Sequence, residues 1–141
     1  MGVLTPDTFD FVLTNELKRA LRSQNFVTLV LIEPRGRDTA EGLREIAGLI
    51  NPELRETDLL AVDDTMVSMV LLDADLQTSR RVIERVMARL EHYQFSTPLD
   101  IQVGAACCPT HGADADTLKR VALAARTGLA RRDDSRGSAH A

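Results

Sequence analysis

Apolar residues recur along this chain with two alternating periods, and the changes of period mark its elements. In "TPDTFDFVLTNELKRALRSQ", Phe9, Val12, Leu13, Leu17, Ala20 and Leu21 share one helical face, and Thr-Pro-Asp reads as a helix start. "FVTLVLIE" is continuous and β-branched, as a buried central strand requires. "DTAEGLREIAGLI" returns to helical spacing through Leu43, Ile46, Ala47 and Ile50, and Asn51-Pro52 stops it. "LLAVDDTMVSMVLL" is two apolar runs around an acidic turn, the pattern of a β-hairpin. "SRRVIERVMARLEHY" predicts a helix with Val82, Ile83, Val86, Met87 and Leu90 inward and arginines outward. "PLDIQVGAACCP" alternates Leu99, Ile101, Val103 and Ala105 as a strand, and "DADTLKRVALAARTGLA" is a last helix with an acidic first turn. The order is α-β-α-β-β-α-β-α. Without the outer helices it is βαββαβ, the split βαβ plan of an antiparallel sheet with two crossover helices on one face.

Composition narrows the function classes. A 141-residue chain with 44% hydrophobic and 27% charged residues suits one α+β domain with a real core. Net charge is −4, and although fifteen of the seventeen basic residues are arginine, they are scattered. With no Trp and one Tyr, nothing favours nucleic acid. No run approaches the roughly 20 apolar residues of a membrane span, and the N-terminus has no signal-peptide pattern. Cys107 and Cys108 are neighbours, too strained for a mutual disulfide and wrongly spaced for a metal. One buried and one half-exposed thiol in a reducing cytoplasm is the expectation. The domain is placed at residues 1–130, and the polar stretch 131–141, "RRDDSRGSAHA", is expected to be a flexible tail.

Three phrases in one order carry a resemblance: "LTPDTFDFVLTNELKRALRSQNFVTLVLIE", "LREIAGLINPELRETDLLAVDD" and "IQVGAACCPTHGADADTLKRVALAA". Together, over residues 4 to about 130, they resemble a GGDEF domain, the diguanylate cyclase module. The resemblance implies a ferredoxin-like βαββαβ core with flanking N- and C-terminal helices. It also implies a reaction, the condensation of two GTP into cyclic di-GMP, which needs glycines beside phosphates and carboxylates on two Mg²⁺ ions.

Checked residue by residue, this chain departs from those needs. The family signature falls on Asp64, Thr65, Met66, Val67 and Ser68, or one residue earlier from Asp63. Both glycines are gone, and Val67 or Met66 stands where the catalytic carboxylate belongs. After the first strand, "PRGRDTAEGLRE" runs straight into the helix, so about ten family positions with metal and guanine ligands are missing. Glu33 alone is left near the old metal position. No catalytic residue, metal or cofactor is therefore expected, and Asp63 and Asp64 are read as turn formers, with a residual cation- or partner-binding role as the alternative.

One family motif survives: Arg55-Glu56-Thr57-Asp58 matches RxxD, which in cyclases resembles the inhibitory cyclic di-GMP site. A solvated Arg55–Asp58 ion pair is the plain reading. Ligand capture would need a further arginine such as Arg80, Arg81 or Arg85. His92, His111 and His140 lack spaced partners, Ser68 lacks a base, and Arg81, Arg85 and Arg89 form a solvated stripe or a basic interaction surface. The expected function is a catalytically inactive regulatory module in bacterial signalling that docks a protein or self-associates in the cytoplasm. A cyclic di-GMP receptor is the alternative, and an active cyclase ranks third. Neither nucleic-acid binding nor membrane insertion is expected.

Overall fold

A computed structural model describes residues 3–129. The expectation for 131–141 lies outside the described residues. Helix α1 spans Pro6–Ser23, strand β1 Val27–Arg35, α2 Thr39–Ile50, β2 Leu59–Val62, β3 Val67–Leu72, α3 Leu76–His92, β4 Asp100–Cys108, α4 Ala115–Ala124 and β5 Thr127–Gly128. The strands form one antiparallel sheet in the order β2-β3-β1-β4-β5. The fold is the α+β, ferredoxin-like plan, with α2 and α3 on one sheet face and α1 and α4 on the other.

Strand alternation divides the core accordingly. Val30 and Ile32 join Met69, Leu71 and Ile101 under α2 and α3. Leu29 and Leu31 join Val70, Leu72 and Ala106 under α1 and α4, against Phe9, Leu13, Leu17 and Leu118. β1 is buried from Val27 to Ile32 because it is central and covered twice. Each such fully buried aliphatic side chain contributes about 1.5–3 kcal/mol.

The helix starts follow their caps. Thr5 precedes Pro6, and Asp75 and Asp114 accept from the amides of Thr78 and Thr117 at 2.7 and 2.8 Å. Those bonds hold the Asp75 and Asp114 carboxyls below the usual aspartate range. The Asp75 cap also starts α3 three residues before the expected Ser79. N-terminal to α1, the Leu4 amide donates to Leu60 O at 2.8 Å and forms a parallel bridge with Ala61, outside β2.

Three details differ from the sequence reading. The last helix stops at Ala124, and Thr127–Gly128 returns as β5 beside Gln102 and Val103. Gly104 admits the end of α4, since a Cβ there would lie 2.0 Å from Ala122 O. Cys107 and Cys108 are both fully buried, because helices lie on both sheet faces and the last three residues of β4, Ala106 to Cys108, are covered on either side. Leu21, expected inward, is 46% exposed at the edge of the buried face of α1.

Candidate functional site

The β2–β3 hairpin is closed by its own first turn residue. The Asp63 amide donates to Met66 O at 3.0 Å. Asp63 Oδ1 accepts from the Thr65 amide (2.8 Å), the Thr65 hydroxyl (3.0 Å) and the Met66 amide (2.8 Å). This is an Asx turn, in which a short carboxylate takes up donors the bend would leave unpaired. Asp64 and Thr65 form the exposed tip.

The flanking side chains turn inward. Val67 is fully buried beneath α2 and α3, paired with Ile32 and Val62. Met66 packs against the cluster under α1 and α4. Ser68 faces a cleft of about 210 Å³ lined by Phe9, Leu31, Ala61, Met66 and Leu123. Lys119 Nζ and Asp10 Oδ1, 2.6 Å apart, hold its rim.

Glu33, the carboxylate near the old metal position, is bound by arginines. Arg35 Nη2 lies 3.1 Å from Glu33 Oε1, and Arg126 Nη1 donates to the same oxygen. Only Gly36, Arg37 and Asp38 separate β1 from α2. A Cβ on Gly36 would lie 2.9 Å from Pro98 O, so this short link runs against the β4 approach. Among the described residues, no three His, Cys, Asp or Glu side chains are grouped as a metal site.

Arg55 and Asp58 do come together, but inward. The Asp58 side chain is 3% exposed and Arg55 is 62% exposed, with 3.4 Å between Arg55 Nη2 and Asp58 Oδ1. Asp58 Oδ2 accepts from the Arg55 amide at 2.9 Å and Oδ1 from the Leu72 amide at 3.1 Å. Arg55 Nη2 donates to Leu72 O at 2.5 Å. The pair therefore ties the link after α2 to the end of β3. Beside it, Glu53 is gripped by Arg85 at 3.0 Å and Arg89 at 3.4 Å. Arg80 and Arg81 lie with Asp75 and Glu84 at the start of α3.

The histidines are locally engaged. His92 Nδ1 lies 2.8 Å from Ala88 O on its own helix, and His111 Nδ1 accepts from the Cys107 amide at 2.9 Å. His140 is outside the described residues. Burial pushes the Cys108 thiol up, away from the reactive thiolate. The cleft rim and the Arg126–Glu33 contact were not visible in sequence, since their partners are 109 and 93 residues apart. Glu45 was missed as well: it accepts from the Tyr93 hydroxyl and Ser96 Oγ, both at 3.0 Å. That carboxylate raises the Tyr93 pKa.

Comparison with solved structures identifies the architecture. The GGDEF domain of YfiN (TpbB) from Pseudomonas aeruginosa is 19% identical, with a TM-score of 0.75 over 87% of both chains. The GGDEF domain of DgcB from Caulobacter crescentus, solved with c-di-GMP, is 11% identical, with a TM-score of 0.70 over 96% of this chain and 86% of that one. The diguanylate cyclase SiaD of Pseudomonas aeruginosa, solved with its activator SiaC, is 18% identical with a TM-score of 0.66. The match covers 87% of this chain and 55% of SiaD. Neither profiles of known families nor curated proteins match the sequence. The chain has the fold of a GGDEF domain, and at these identities the likeness is one of fold. Among the described residues, no helix is long and apolar enough to cross a membrane.

Proposed function

We propose that this chain is a catalytically inactive GGDEF-fold domain, acting as a regulatory, protein-interaction module in bacterial cytoplasmic signalling. The carrying observation is the occupied hairpin: Asp63 Oδ1 takes three bonds within its own turn, and of the two positions the resemblance offers for the catalytic carboxylate, Val67 is fully buried and Met66 packs under α1 and α4. Phosphate cradling needs small residues at such a bend, and two-metal chemistry needs open carboxylates. Neither is supplied by Thr65, Met66 and Val67, and Glu33 is held by Arg126 and Arg35. SiaD, of the same fold, was solved with an activator protein, so docking on this scaffold has a precedent. The test is incubation with GTP and Mg²⁺ followed by product analysis. No cyclic di-GMP is expected, and steady turnover would overturn the proposal.

The second reading is cyclic di-GMP capture at Arg55 and Asp58. Its support is the exposed Arg55 guanidinium, free on one side to fork onto phosphate or a guanine edge. Against it, both Asp58 oxygens already accept backbone amides. Calorimetry with cyclic di-GMP decides: heat abolished by Arg55→Ala would favour this reading, and no heat at high micromolar ligand removes it.

A further inference from the structure

Helix α1 buries Phe9, Leu13, Leu17 and Ala20 against the sheet. On its opposite side, spacings of four, three, four and four residues align Asp7, Phe11, Thr14, Lys18 and Arg22 in one exposed stripe. Phe11 is 70% exposed, more than any other large hydrophobic among the described residues. The other charges of α1 are used within the chain. Asp10 pairs with Lys119 at 2.6 Å, and Arg19 pairs with Glu16 at 2.7 Å and Asp73 at 3.6 Å. Asp7, Lys18 and Arg22 form no ion pair among the described residues. The helix dipole favours an acid in the first turn and bases in the last. It gives no reason for a bare phenylalanine between them.

The stripe is complementary to itself when reversed. We propose that α1 packs antiparallel against α1 of a second copy of this chain, across a two-fold axis near Thr14 and Asn15. Asp7 then meets Arg22 of the partner subunit, and Phe11 meets Lys18 of the partner subunit. The lysine stem covers the phenyl ring and its ammonium sits against the ring face. Thr14 and Asn15 are small enough to let the helices cross closely. Such a contact is isologous, so each pairing occurs twice. Asp7 and Arg22 are fifteen residues apart, about 22 Å along the helix, so the interface is small and the dimer concentration-dependent. This inference rests on the reading of the chain as an interaction module and names the partner as a second copy.

Sedimentation equilibrium of the full chain, from low micromolar to about 0.5 mM, tests it. The mass should rise from that of the 15.5 kDa chain toward twice that value. Asp7→Arg alone and Arg22→Asp alone should each weaken association about tenfold, and Phe11→Ser by at least as much. The double variant Asp7→Arg/Arg22→Asp should recover to within about threefold of the parent, because the reversed charges meet each other. Both of its substitutions oppose the helix dipole, so recovery cannot come from a stronger helix. Circular dichroism of each variant checks that the fold is kept. A monomer at every concentration, or a double variant no tighter than the singles, would overturn the dimer. The functional reading fails on a different signal, GTP turnover, which leaves the dimer mass unaffected.

Discussion

Asp58 and Asp63 lie five residues apart on either side of β2, and both give their carboxylates to backbone amides. Asp58 is buried and joins residues fourteen apart; Asp63 is exposed and serves only its own bend. The difference is one of dielectric and replacement. Water can take over at Asp63, whereas nothing can at Asp58. Two residues at positions that resemble functional ones of a nucleotide enzyme thus both hold backbone amides, to very different depths.

Substitution measures that depth. Asp58→Ala should have the largest effect, about 3 kcal/mol in denaturant unfolding, because the Leu72 and Arg55 amides lose their acceptor and Leu72 N lies in a buried setting. Asp58→Asn should recover part of that. A loss below about 1 kcal/mol would mean that Asp58 is free for a ligand after all. Asp63→Ala should cost about 1 kcal/mol by the same assay, through an untied turn. A cost equal to that of Asp58→Ala would erase the distinction between the two sites. Arg55→Ala should cost only about 0.5 kcal/mol, since its guanidinium is mostly exposed.

The smallest expected effect is in acid. Asp75 and Asp114 have pKa values lowered by the amides they accept from, Thr78 and Thr117. A lowered value in the folded state means their contribution is complete above the unfolded value, near 4. It is lost as pH falls through the folded value. Asn caps a helix about as well as Asp but does not titrate there. Asp75→Asn/Asp114→Asn should therefore melt like the parent at neutral pH. Below about pH 4 its melting temperature should fall less steeply. An unchanged acid slope would show that other carboxylates carry it.

Periodicity revealed what was local. The apolar face of α1 apart from Leu21, the Ile46–Ile50 face and the apolar-acid-apolar hairpin each contain their own signal, and formed where expected. What depended on distant partners was hidden. Thr127–Gly128 is too short to show a strand period, and its pairing with Gln102 follows from where α4 ends on Gly104. Cys108 alternates correctly along β4, yet alternation does not say that α1 and α4 cover its face. RxxD reads the same whether Asp58 points to solvent or to the Leu72 amide, so the motif located the residues but not their use.

The outer rims of the sheet are each partly occupied by the chain's own backbone. On one side, the backbone of Leu4 occupies part of β2; on the other, β5 offers two residues. Each of these contacts takes up part of an edge that a foreign strand could otherwise template on, which works against ribbon-like stacking and fibre growth. A companion met through a helical flank, as proposed for α1, would be selected by charge pattern rather than by main-chain pairing.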